Sequence, residues 1–282
     1  MTLGVVSLLG AQSPPSPRSV VAARVSALTR ESSWRLERTI PIQFRTFHPQ
    51  GMLKIGETWF ISSVEVRDRP AGKGIGHLFK VDSAGQLLTD LVLGEGPMYH
   101  PSGIDFDGTS IWIALAEYRP ASRSIIYRVD PESMKATEMF RVADHIGAVV
   151  HDTDTGTVHG VSWGSRTLYR WSTTGRDGTS TTNPAHYVDY QDCKYLGEHR
   201  MLCSGVTELR QASGAPFRLG GLEIVELSQG RAVHQLPVLL WTKDGLAMTQ
   251  NPVWIEPSLE GLRAYFMPED DRSTIYVYEV VN

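Results

Sequence analysis

The segment Phe47-His48-Pro49-Gln50-Gly51-Met52 returns as Tyr99-His100-Pro101-Ser102-Gly103-Ile104. It returns again, worn down, as Asp144-His145-Ile146-Gly147-Ala148-Val149. Two fainter echoes follow, Tyr190-Gln191-Asp192-Cys193-Lys194 and Gln250-Asn251-Pro252-Val253-Trp254. Five copies at intervals of roughly 45 to 60 residues have the period of a repeat architecture, which limits the fold more than any other feature of the chain.

Between the copies the pattern is short strands broken by turns. In the first unit, residues 51–55, 58–66, 77–82 and 87–93 read as four antiparallel strands, rich in aromatic and β-branched residues. Four strands in about 50 residues make one propeller blade. The third strand recurs most clearly, at 78–82, 126–130, 168–172, 223–227 and 275–279. Gly85, Gly175 and Gly230 mark turns after three of these copies. The reading is therefore an all-β, five-bladed β-propeller with four-stranded antiparallel blades. The last unit has no fourth strand left after residue 281, whereas an unassigned strand lies at about 34–44. These two ends are expected to pair and close the ring, because an open ring leaves bare strand edges. Residues 33–282 then form one domain, with 1–32 as a lead-in containing one short helix.

The lead-in begins with the apolar run Leu3 to Ala11 and continues into a Pro/Ser segment. It reads as the end of a secretory signal without the basic start, so a secreted or periplasmic location and a cytoplasmic one stay equally open. No apolar run reaches the roughly 18 residues that span a bilayer. With 31 acidic residues against 27 basic ones and no basic stripe, a nucleic-acid partner is not expected. The sequence sets no oligomeric state. Cys193 and Cys203 flank a turn, and are either a cross-strand disulfide or two buried thiols.

In a propeller, the starts of the inner strands and the loops after the second strands meet at one end of the axis. The first set is His48, His100, His145, Gln191 and Asn251. The second is Glu65, Glu117, Trp163, Glu208 and Glu269. His48 to Glu65, His100 to Glu117 and Gln191 to Glu208 are each 17 residues apart. Arg67, Arg119 and Arg210 repeat a Glu-x-Arg pattern behind those glutamates.

Three chemistries follow. His48, His100 and His145 can hold one divalent metal (Zn, Mn, Fe or Ca) or polarise a substrate oxygen without metal. Glu65, Glu117 and Glu208 are candidate bases, Tyr190 a proton donor, and Arg67, Arg119 and Arg210 partners for a substrate carboxylate. Trp163, Gln191, Asp192 and Asn251 are candidate substrate contacts, and Asp192 with Glu208 is the pair a two-carboxylate glycosidase would need. Against these stands a structural role for both sets, as turns and inter-blade ion pairs. His151, Asp152, Asp154 and His199 read as hairpin turns at the opposite end and stay outside the site. No P-loop, dinucleotide fingerprint or nucleophile elbow is present, so no nucleotide cofactor is expected. The function read here is a hydrolase or lyase acting on a small polar, carboxylate- or sugar-like molecule, with a non-catalytic ligand- or protein-binding propeller as the alternative.

The Gln50-Gly51-Met52 segment, its Gly-containing turn and the aromatic strand after it resemble the first blade of plant-type glutaminyl cyclases, which are five-bladed. The Ser102-Gly103-Ile104-Asp105 segment resembles blades of the gluconolactonase and strictosidine-synthase-like group. The likeness covers blade-sized fragments across residues 45–282 and implies the propeller. Gluconolactonases bind metal mainly through Glu, Asn and Asp, and the histidines of this chain depart from that set.

Overall fold

The computed structural model describes residues 16–281. The signal-like stretch Leu3 to Ala11 lies outside the described residues. The described residues are all-β, with one α-helix among them, α1 (Pro17–Ala27), ahead of twenty strands. β1 (Ser33–Pro41) is set aside for the last sheet. Sheet one is β2 (His48–Ile55), β3 (Thr58–Asp68), β4 (Lys73–Val81) and β5 (Leu87–Leu93). Sheet two is β6 (Met98–Phe106), β7 (Ile111–Glu117), β8 (Ser124–Val129) and β9 (Ala136–Val142). Sheet three is β10 (Ile146–Asp152), β11 (Thr157–Ser162), β12 (Thr167–Ser172) and β13 (Thr179–Thr182). Sheet four is β14 (Asp189–Gly197), β15 (Arg200–Arg210), β16 (Pro216–Glu226) and β17 (Arg231–Val238). Sheet five is β18 (Val253–Pro257), β19 (Leu262–Phe266) and β20 (Thr274–Val281), and β1 completes it. β1 pairs antiparallel with β20, from Ser33 opposite Val281 to Pro41 opposite Thr274. One parallel bridge, Gly103 to Ala148, joins the inner strands of sheets two and three.

Each sheet buries an apolar face against the next. Leu53 and Phe60 of sheet one meet Ile104 and Ile113 of sheet two. Trp112 and Ile126 of sheet two meet Val149 and Trp171 of sheet three. Ala148 and Val161 of sheet three meet Tyr195 and Met201 of sheet four. Leu202 and Leu222 of sheet four meet Ile255 and Phe266 of sheet five, with Val21, Ala22 and Val25 of α1 laid over the same cluster. Met52 and Trp59 of sheet one meet Tyr265 and Ile275 of sheet five. Cys193 and Cys203, opposite one another in β14 and β15, form a disulfide.

The glycine of the recurring segment has a steric cause. A Cβ on Gly103 would lie 2.7 Å from Asp192 Cα, and one on Gly51 would lie 2.6 Å from Ile104 N. The inner strands approach too closely there for any side chain. Two boundaries differ from the sequence reading. The histidine of the first two copies lies within its strand rather than before it, and β1 stops at Pro41, whose ring cannot donate to a ladder.

Candidate active site

The inner strands β2, β6, β10, β14 and β18 start at the same end of the molecule, so the residues at their starts converge. His48, His100, His145, Gln191 and Asn251 line one cavity of about 490 Å³, with Trp163, Tyr190 and Glu208. Tyr118, Arg218 and Asp270 also line it.

Two of the histidines are oriented by what they touch. His48 Nδ1 lies 2.8 Å from Asp270 Oδ1, which also accepts from Asn251 Nδ2 at 3.1 Å. A carboxylate accepts, so the proton sits on Nδ1 and Nε2 keeps its lone pair. His145 Nδ1 donates to the Glu117 carbonyl at 2.8 Å, which also leaves Nε2 as the basic nitrogen. His100 is 4% exposed, stacks on Tyr118 at 4.1 Å between ring centres, and stands 5.2 Å from the His145 ring. Its buried Nδ1 has no hydrogen-bond partner. Burial, then the neighbouring His145 and His48, hold His100 well below the usual imidazole range. Burial also lowers His145, against the opposing pull of its bond to the Glu117 carbonyl.

Part of the cavity wall is aromatic, with a cation packed behind it. Trp163, in a single 3-10 turn at Trp163–Ser165, sits edge-on to His145 at 4.7 Å. Arg69 lies over the Tyr118 ring at 3.9 Å and donates to the Tyr118 carbonyl at 3.1 Å. An adjoining lobe shares His48, Tyr118 and Asp270 and adds Arg45, Glu65 and Arg69.

Several residues singled out from the sequence serve elsewhere. Glu117 is buried and held by Arg119 and Arg123, and these ion pairs pull its carboxyl down despite the burial that raises it. Neither Glu117 nor Arg119 lines the cavity, because a strand alternates faces and Tyr118 between them takes the inward one. Arg67 is spent on Glu65 at 3.2 Å, and Arg210 is exposed at the end of β15. Glu208 stands on the rim, 3.4 Å from Arg218 Nε. The Tyr190 hydroxyl donates to Glu223, and burial, then that carboxylate, pushes the phenol far above its ordinary range. Asp192 turns away from the cavity and accepts from Met52 N at 3.0 Å, Ile104 N at 3.1 Å and Lys194 Nζ. The Asp192–Glu208 carboxylate pair is therefore not formed.

The three histidines share a cavity, but their ring nitrogens do not all come within 4.8 Å of one another. Among the described residues the one His/Cys/Asp/Glu group of three that does is Asp152, Asp154 and His199, which could hold a metal ion. It lies at the other ends of the strands, in turns that the sequence reading set aside. Asp270, Tyr118 and Arg69 were missed. Asp270 follows Glu269, which sits 18 rather than 17 residues past its partner Asn251 and accepts from the Tyr276 hydroxyl and Thr274 N.

These features define a propeller-like all-β protein with a histidine-lined cavity at one end. Residues 15–282 match the family of unknown function DUF6454, and the chain belongs to that family. No curated protein matches it in sequence. Among solved structures it is similar to the glutaminyl cyclase of Myxococcus xanthus, at 12% identity and a TM-score of 0.53, over 89% of this chain and 98% of that one. It is also similar to the major Malassezia sympodialis allergen Mala s 1, at 8% and 0.55, over 86% and 96%. A mannose phosphorylase from Leishmania mexicana, solved with a phosphate ion, matches at 10% and 0.53, over 86% and 88%. At these identities the likeness concerns the fold alone.

Proposed function

We propose that the histidine-lined cavity is the active site of an acid–base enzyme, a hydrolase or lyase acting on a small polar substrate. The observation that carries this reading is the His48–Asp270 pair at 2.8 Å, on a cavity shared with His100 and its unpartnered buried nitrogen. His48 Nε2 takes a proton from an attacking water or from the substrate and returns it to the leaving group, so no oxidant is needed. Asp270 fixes the tautomer and steadies the imidazolium that forms. His100 and His145 act as neutral imidazoles, His100 donating its single N–H to a substrate oxygen and His145 Nε2 accepting from a substrate hydroxyl. Arg69, above Tyr118 and Trp163, suits a substrate carboxylate or sugar ring. A metal held by His48, His100 and His145 would need those nitrogens closer together, so polarisation without metal is the role adopted here.

The same reading takes the five sheets as blades of one closed five-bladed propeller over residues 33–282, with β1 as the outermost strand of the last blade. The five inter-sheet clusters and the β1–β20 pairing support it. A glutaminyl cyclase and a mannose phosphorylase share similar folds, so catalysis suits the architecture, but the reaction rests on the site.

The test is a screen of the parent, His48→Ala and Asp270→Asn against small esters, lactones, glycosides and hydroxy acids. Turnover of one class, reduced about 10²- to 10⁴-fold in both variants, is expected. Turnover unchanged in both variants overturns the assignment. Binding without turnover in the parent moves the protein to a ligand-binding module.

A further inference from the structure

A second cavity, of about 370 Å³, lies at the opposite ends of the same inner strands. Its walls are apolar: Leu196, Leu202, Leu222, Val253 and Ile255, with Val21 of α1 across its opening. One buried carboxylate facing it lacks a direct ion pair, and only the more distant charges of Arg18 and Lys194 act on it. Asp105 is 2% exposed and accepts only backbone N–H groups, from Tyr195 at 3.2 Å and from His151 at 3.3 Å. It makes no ion pair among the described residues. Lys194, a buried cation, spends its ammonium on Ile104 O and Asp192. Arg18 at the rim donates to Phe106 O. The lining holds four acids, Asp105, Asp107, Asp192 and Glu256, against two bases, Arg18 and Lys194.

A buried carboxylate is ordinarily paired, because leaving it alone in an apolar setting is costly. Burial accordingly raises the Asp105 carboxyl. The volume falls within the roughly 300–1,000 Å³ typical of small-ligand sites, and apolar walls around a few convergent polar groups are their usual composition. We infer that this cavity is a binding site, separate from the histidine-lined one, for a small apolar molecule bearing a single protonated amine that pairs with Asp105. The apolar body lies against Leu222, Val253 and Val21, and α1 closes over it. No covalent step is involved. The site does not depend on the catalytic reading of the other cavity.

The experiment is calorimetric titration of the whole protein with octylamine, 1-octanol and octanoate at pH 7, checked by the fluorescence of Trp254 on the cavity wall. The amine is expected to bind at least about tenfold more tightly than the alcohol, the gain of one charge-assisted contact, with octanoate weaker than both. Asp105→Asn should bring the amine down to the level of the alcohol. Val21→Trp, which fills the opening from the helix side and leaves Asp105 in place, should remove binding of both. His48→Ala should leave all three affinities unchanged. Equal affinity for amine and alcohol in the parent overturns the inference, as does no binding of any probe at millimolar concentration. Amine binding that survives Val21→Trp or falls with His48→Ala places the probe elsewhere and overturns it too. Each variant is first shown to melt cooperatively, so that loss of binding is not loss of fold.

Discussion

The carboxylate of Asp192 accepts the backbone N–H of Met52 at 3.0 Å, across 140 residues of sequence. Its other oxygen takes Ile104 N at 3.1 Å and Lys194 Nζ, so one side chain ties the inner strands of sheets one, two and four together. Removing it leaves two buried N–H groups without their acceptor and the Lys194 ammonium without its counter-charge. Asp192→Ala is expected to cost about 3–5 kcal/mol in urea unfolding. A loss below about 1 kcal/mol would mean that the centre can rearrange.

Acid sensitivity follows from groups that pull in opposite directions. Burial holds His159 at about 4 and lowers His100 and His145, whereas a free imidazole titrates near 6.5. The folded chain thus binds these protons less readily than the unfolded one. The stability these histidines contribute is present above about pH 6.5 and is lost as pH falls toward 4. Asp192 does the reverse. Burial raises its carboxyl to about 6, from about 3.9 in the unfolded chain, so its contribution falls as pH rises from about 4 to 6. Unfolding of Asp192→Asn followed from pH 4 to 7 should therefore show a steeper rise of stability with pH than the parent. Identical slopes would remove Asp192 from the balance.

Arg69 lines the lobe that adjoins the histidine-lined cavity and lies over the Tyr118 ring that the two share. If it receives a substrate carboxylate, Arg69→Lys keeps the charge but loses the planar stacking. The expected result, once a carboxylate substrate is found, is KM raised about tenfold with kcat little changed. A fall in kcat with KM constant would place Arg69 in the transition state instead.

The Cys193–Cys203 bridge closes a loop of 10 residues between adjacent strands. Reduction, or the Cys193→Ala/Cys203→Ala double variant, should cost about 2–3 kcal/mol by restoring entropy to the unfolded chain. The shift in melting temperature under reductant measures it. No shift in either would mean that the strands hold the loop unaided.

Much of the architecture was legible because repeats expose themselves by period. The third-strand copies and the β1–β20 pairing both followed from counting strands against the available chain. The convergence of His48, His100 and His145 followed from their common position in each unit. Side-chain direction did not follow so readily. Glu117 and Arg119 matched the spacing, but the pleat turns them away and presents Tyr118. Asp192 occupies the same repeat as Gln191, yet one step along a strand reverses its face. Asp270 belongs to a loop between β19 and β20, where no periodic rule assigns a direction. The metal-capable group Asp152, Asp154 and His199 joins turns of two sheets, a contact that lies across the repeat rather than within it.

The pairing of β1 with β20 sets an order of events on the ribosome. β1 emerges early, yet its hydrogen-bonding partner is made only after residue 273. At typical rates of synthesis the two are separated by on the order of ten seconds or more. For that interval β1 is an unpaired edge and the nascent chain offers a template to any other extended segment nearby. Its exposed charges Arg35, Glu37 and Arg38 are the kind of residues that discourage such mispairing. Neutralising them should leave the finished protein stable while lowering the yield of soluble chain during expression.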